Sequence, residues 1–244
     1  MRPSYNAAMA MEHQPSGPPH AGTGDANAAK ALRIQILATE HWSLLATRSL
    51  SWNESFARAS MFLTLLSGAI VALALVAQAT SFGPGFVLFA LTILPVVLFV
   101  GLATYVRLLE INNEDYVWVK GMNRLRAAYL ATDPSLEPYF VTGVSEAPES
   151  IFQTFGSQPG VTGALQAGNF HGFVTTPSTI AFVDATLAAA LTAIVAVLLT
   201  QAMAPTALVG VVTFFVVGGA LVYFGYRNQV MAHITHPTEQ EGSQ

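Results

Sequence analysis

The sequence predicts an all-α polytopic membrane protein, with four transmembrane helices in two hairpins and cytoplasmic helical extensions on the first. Three observations carry this. The chain is 52% hydrophobic and only 10% charged, where a soluble domain is about 25% charged. Residues 59–79, 82–106, 179–203 and 205–226 are each apolar enough and long enough to cross the ~30 Å hydrocarbon layer of a bilayer. Asp184 is the one charged side chain within those four stretches.

Residues 1–28 hold four prolines and no apolar periodicity, so they are expected to be a disordered tail. They lack an apolar core with a small-residue cleavage site. No cleaved signal peptide is therefore expected, and the first span serves as the insertion signal. Residues 30–58 contain neither Gly nor Pro and predict a helix running into that span. Ala38, Trp42, Leu45, Ser49, Trp52, Phe56 and Ala59 recur at alternating steps of four and three, a heptad-like seam. Glu54 stands four residues before Arg58, the favourable order for an ion pair on a helix.

The link between spans one and two, near 80–85, is short and uncharged, which makes the pair an antiparallel hairpin. Pro95 lies inside span two, where packing geometry is the expected consequence and a hinge the alternative. Residues 107–131 continue as a helix with a second seam, Leu108, Ile111, Asp115, Trp118, Met122, Leu125 and Tyr129. These two helices and their spans form one unit, residues 30–131. Asp133 is a candidate N-cap for a short helix over 134–141, with Pro134 at its first position. The linker, residues 132–178, is rich in Gly and Pro from 143 onward. It is expected to lie in the cytoplasm or on the membrane surface, with a re-entrant loop as the alternative. Residues 179–227 form the second hairpin, and 228–244 a polar tail.

All ten Lys and Arg residues fall on one side of a four-span arrangement. The positive-inside rule then places both termini and the central segment in the cytoplasm, most simply at a bacterial inner membrane.

Two acidic residues invite functional readings. Asp184 shares a helical stripe with Ala188, Thr192 and Ala196, and small residues let helices approach closely. A structural polar contact near the interface is the leading reading, and a proton or cation site the sharper one. Asp115 is the polar member of an apolar seam, a pattern that fixes register. Counting from the membrane-edge residues Arg58 and Arg107, Arg48 and Asp115 differ in height by ~3 Å at the helical rise. Asp115 should therefore be held by Arg48, or hydrogen-bonded by Ser49 or Trp52. Trp42, Trp52 and Trp118 are read as helix-packing residues, with interface anchoring as the alternative for Trp52. His13, His20, His233 and His236 make no convincing metal set.

The chain has no cysteine, which removes disulfides, thiolate metal sites and thiol nucleophiles. The formal charge of −4 argues against nucleic-acid binding. No phosphate-binding loop, dinucleotide glycine fingerprint, nucleophile elbow or His-Glu-x-x-His helix is present. No catalytic residue, metal or cofactor is expected. The expected partners are the lipid bilayer and either a second copy or a cytoplasmic protein.

Three stretches carry a resemblance: Glu40-His41-Trp42-Ser43-Leu44-Leu45-Ala46-Thr47-Arg48 through Trp52-Asn53-Glu54, then Gly121-Met122-Asn123-Arg124-Leu125-Arg126-Ala127-Ala128-Tyr129, and Leu136-Glu137-Pro138-Tyr139-Phe140. Over roughly residues 40–140 the chain resembles uncharacterised small bacterial integral membrane proteins. That resemblance implies no activity and transfers no site residue. In architecture alone, a hairpin with long extensions resembles two-span effectors of bacterial defence that are thought to perforate membranes. The expected function is therefore a membrane scaffold or interaction protein. An oligomeric pore or ion-conducting protein is the alternative, and a membrane enzyme is least supported.

Overall fold

The computed structural model describes residues 21–147, 150–151, 154 and 175–235. Four long helices carry the fold: α1 (Ala21–Thr80), α2 (Pro84–Thr132), α3 (Thr176–Thr200) and α4 (Met203–Thr235). Among the described residues there is no strand, and each of the four helices is long and apolar enough to cross a membrane. α1 and α2 run on well past the span length. At ~1.5 Å per residue the 60 residues of α1 measure ~90 Å.

The first hairpin closes through three residues. Ser81 and Phe82 adopt left-handed backbone, at φ 47° and 60°. The Phe82 N–H donates to the Ala77 carbonyl at 3.1 Å, a closure that satisfies a carbonyl orphaned at the helix end. Gly83 then precedes Pro84 at the first position of α2, where the missing proline N–H costs nothing. The second hairpin turns on Gln201, left-handed at φ 52°, whose N–H reaches Val197 O at 2.9 Å.

The helices stand in a row. α1 packs along α2, α2 also along α3, and α3 along α4, while α2 meets α4 more lightly. Phe62, Ala69, Ala90, Leu94, Val97, Leu108, Ile180 and Leu187 belong to the core joining the first three. Between α3 and α4 the small residues do the packing. Gly210 lies against Ala193 and Gly218 against Ala185, and Thr192 donates to Thr213 Oγ1 at 3.1 Å. α2 and α4 meet where the Tyr105 hydroxyl donates to Leu221 O at 2.6 Å. Gly225 makes room for that hydroxyl, since a Cβ there would sit 2.7 Å from it.

Several expectations shift. The helix expected from residue 30 begins at Ala21, inside the expected tail; the tail through residue 20 lies outside the described residues. α4 continues to Thr235, into the expected polar tail, and residues 236–244 lie outside the described residues. α2 runs through Pro95, which sits on its exposed side. The short helix after Asp133 is a 3-10 turn, Pro134–Tyr139, with Asp133 accepting from the Ser135 N–H at 3.0 Å. The first part of the linker, through residue 147, packs against α2. It folds back on the far end of α2, where Ser145 O accepts from Asn123 and Gly143 O from Arg126. The re-entrant alternative falls on residues outside the described ones.

The main correction concerns α1. Most of its expected seam does not face α2. Trp42, Leu45, Ser49, Trp52 and Phe56 are all exposed, and α1 instead presents His41, Leu44, Arg48, Ser51, Ser55 and Phe62, with Ala59 the one seam member buried among them. The contact is close there, because a Cβ on Gly121 of α2 would sit 3.3 Å from Leu44 Cδ1. The α2 seam behaves as expected, with Leu108, Ile111, Asp115 and Met122 buried and Trp118, Leu125 and Tyr129 half-buried.

Candidate functional site

Two features place unusual chemistry on this scaffold. The deeper one is Asp184 on α3, fully buried, with neither carboxylate oxygen hydrogen-bonded. It faces α2 and α1. A Cβ on Gly101 would overlap Oδ1 of Asp184 and would sit 2.8 Å from Phe62 Cε2. Gly101 is thus the space into which the carboxylate fits, and Phe62 closes the other side. Phe62 lies one turn from Arg58, and Gly101 less than two turns from Arg107, so the junction sits ~6–9 Å inside the charged edge of the hairpin. Among the described residues Asp184 makes no polar contact of the kind expected of it, and a buried polar group without a partner is costly. The same geometry narrows the sharper reading. A bound metal cation needs several oxygen ligands, and among the described residues no polar group is hydrogen-bonded to this carboxylate. Among the described residues no group of His, Asp and Glu is placed to hold a metal.

The second feature is the polar seam between the extensions of α1 and α2, built at three levels. At the span edge, Glu54 accepts from Arg58 Nε at 2.8 Å and from Arg107 Nε and Nη2 at 3.0 and 3.2 Å. Arg107 Nη1 also reaches Glu110 at 3.1 Å and Glu114 at 3.2 Å. The hydrogen bonds from Arg107 and then Arg58 pull the Glu54 carboxyl down to about 2, while those from Glu54 and Glu110 raise Arg107.

Farther along, Arg48 forms a bidentate pair with Asp115, Nε to Oδ1 at 2.6 Å and Nη2 to Oδ2 at 3.2 Å. The pairing expected from matched depth is therefore present, and it is made by Arg48 rather than by Ser49 or Trp52. At the far end His41, Tyr129 and Phe140 stack in a ladder, with centroids 6.0 and 6.3 Å apart. Burial, and then the nearby Arg126 charge, lower the His41 imidazole from its ordinary value. Asn123, fully buried, donates to Ser145 O at 2.8 Å and accepts from Arg126 Nη1 at 2.7 Å. Glu146 ties the linker to Lys120 and Arg124. Burial works against its charge, yet those two cations hold its carboxyl below the usual range.

Asp184 and Asp115 do not form one site. Gly101, beside Asp184, and Asp115 are separated by ~20 Å along α2 at the helical rise. Sequence reasoning missed the bridging role of Glu54, although the depth count that paired Arg48 with Asp115 also brings Glu54 within reach of Arg107. It missed Gly101 and Asn123 as well, for which spacing carries no signal. His13, His20 and His236, and the side chain of His233, lie outside the described residues. Comparison with family models, curated proteins and solved structures returns no match to this chain.

Proposed function

We propose that the protein is an integral protein of a bacterial inner membrane, with both termini and the α1–α2 extensions in the cytoplasm, and that it acts as a scaffold or interaction protein through those extensions. One observation carries this. A helical hairpin locked at three levels by ion pairs and stacking leaves an apolar stripe, Trp42, Leu45, Trp52 and Phe56, facing outward. Soluble monomeric surfaces rarely keep such a patch uncovered, and Trp is enriched in the energetic centres of protein interfaces. Rigidity matters too, because a pre-organised surface loses less entropy on binding. The resemblance to uncharacterised bacterial membrane proteins fits this reading without adding an activity.

A second reading, an ion-conducting oligomer, has one observation in its favour, the unpaired carboxylate of Asp184. Ion flux across liposomes containing the purified full chain separates the two. The scaffold reading expects leakage no greater than in protein-free vesicles. Flux that rises with protein content and disappears in Asp184→Asn would overturn it in favour of conduction.

A further inference from the structure

We infer that α1 pairs in parallel with α1 of a second copy of this chain, along one exposed stripe running from Trp42 to Gln78. The inference rests on reading the α1 extension as an interaction surface, and it names the partner.

Trp42, Leu45, Ser49, Trp52 and Phe56 on the extension are followed within the span by Ser60, Thr64, Ser67, Val71, Ala74 and Gln78. All are exposed, and they recur every three or four residues, so they line one side of a single continuous helix. α2 is α1's one extensive neighbour among the described helices, and it takes a different face. The exposed stripe changes character where the helix enters the membrane, from aromatic to small and hydroxyl-bearing. Each half suits a helix partner in its own solvent. In water, burying aromatic area drives association. In lipid that drive is absent, and small residues and hydroxyls mark the faces where helices approach closely. The Thr64 and Ser67 hydroxyls are satisfied within α1, by Ser60 O and Leu63 O at 2.8 Å each, so close approach strands no donor. The adjoining exposed face carries Met61 and Leu65 instead, a face fit for lipid.

A second copy is the occupant that matches both halves at once. Two copies inserted in the same sense that pair through the same face are related by a two-fold axis along the membrane normal, which sets α1 against α1, parallel and at equal depth. Aromatics then meet aromatics in water, and hydroxyls meet hydroxyls in lipid. The flanks permit it. Thr39, Ala46 and Asn53 are neutral, and Arg48, the one flanking cation, is already paired with Asp115. The area is also adequate. Trp42 is 71% exposed, Trp52 47% and Phe56 54%. At about 150–250 Å² per aromatic, their exposed parts alone amount to ~350 Å². A stable interface buries about 800 Å² per partner, so these three side chains alone supply nearly half, and the remaining exposed positions of the stripe add to it.

The absence of native cysteine makes the test direct. Single cysteines are placed on the stripe, Ser49→Cys, Ser60→Cys and Ser67→Cys, and off it at exposed positions of the same helix, Leu50→Cys and Met61→Cys. Each full-length variant is oxidised in native membranes. Disulfide-linked dimer at the three stripe positions, with little at the two others, is the expected pattern. Equal crosslinking on and off the stripe, or none on it, overturns the inference. Serine-to-cysteine changes on an exposed helix face are nearly isosteric, so misfolding does not blur the result. Stripe crosslinks from a protein that also conducts ions keep this inference and remove the scaffold reading. No crosslinks from a protein that does not conduct remove this inference and leave the scaffold reading standing.

Discussion

Arg48 grips Asp115 with two parallel hydrogen bonds, 2.6 and 3.2 Å long, across the interface between α1 and α2. The side chains are 18% and 6% exposed, so the pair is largely withdrawn from water. Such a pair adds little net stability compared with an apolar contact of the same shape, but breaking it leaves a stranded charge, at about 3–5 kcal/mol for a fully buried pair. Asp115→Ala should therefore lower the unfolding free energy of the extension by ~2–3 kcal/mol, discounted for the partial exposure. The double variant Arg48→Ala, Asp115→Ala should lose less than the sum of the single losses. Denaturant titration of the detergent-solubilised protein reads all three. Simple additivity would mean that the pair contributes no coupling.

Why this pair was legible in the sequence, and other contacts were not, follows from what constrains each. A tight turn joins spans one and two, so depth along α1 fixes depth along α2, and counting from Arg58 and Arg107 finds Arg48 opposite Asp115. The four spans were legible for a similar reason, since hydrocarbon thickness sets their length. The face of α1 that meets α2 was not. Periodicity shows that Trp42, Trp52 and Phe56 share a side, but not which neighbour that side meets. α2 chose the polar side of α1 because it offers Asp115 and Arg107 as partners for Arg48 and Glu54. Asp184 was legible as an oddity, but Gly101 as its neighbour was not, because nothing local fixes how α3 is rotated against α2.

Glu54 makes the span edge sensitive to acid. Hydrogen bonds from Arg107 and Arg58 lower its carboxyl from 4.5 to about 2. A depressed carboxyl stabilises the folded state fully above its unfolded value, and the contribution disappears as pH falls through the folded value. Amide exchange near Glu54 and Arg107 should therefore quicken as pH drops from about 4.5 toward 2, once the intrinsic pH dependence is divided out. In Glu54→Gln the protection should already be reduced at neutral pH and should lack that step. A step of equal size in Glu54→Gln would assign it to another carboxylate.

His41 sets a second pH dependence, nearer neutrality. Its imidazole is lowered from 6.5 by burial and by the Arg126 charge, so the folded state favours the neutral ring stacked on Tyr129. Stability from this contact is whole above 6.5 and lost as pH falls through the lower folded value. Trp42, the next residue, offers a fluorescence readout. Its emission should shift as pH drops below 6.5, and His41→Phe, which keeps a ring against Tyr129, should abolish the shift. A shift that persists in His41→Phe would rule out His41 as its source.

Orientation in the membrane is testable with the same cysteine-free background. Phe82 and Met203 are exposed at the turns of the two hairpins, and Ser135 is exposed beyond α2. Phe82 serves better than Gly83, where a Cβ would meet Thr80 O at 2.9 Å. A membrane-impermeant thiol reagent applied to intact cells should label Phe82→Cys and Met203→Cys and spare Ser135→Cys. Labelling at Ser135→Cys alone would invert the proposed topology.

The junction at Asp184 gives the sharpest test of packing, because changes at its two partners should compensate each other. Gly101→Ala places a methyl group where Oδ1 of Asp184 now lies, and overpacking of this kind costs about 1–3 kcal/mol. Asp184→Ala removes a buried carboxylate that has no hydrogen-bond partner, which relieves its desolvation but leaves an unfilled space beside Phe62. In the double variant the methyl at 101 enters the space that the carboxylate vacates. Its stability should therefore exceed that expected from adding the single effects, by ~1–2 kcal/mol at the scale of contacting residues. Asp184→Asn keeps the volume and replaces the carboxyl by a neutral amide, so it should be at least as stable as the parent if the site is purely structural. Unfolding of the four variants in one detergent supplies the whole cycle. If Gly101→Ala proves neutral, α3 does not press its carboxylate against α2, and the three-helix junction described for Asp184 is wrong.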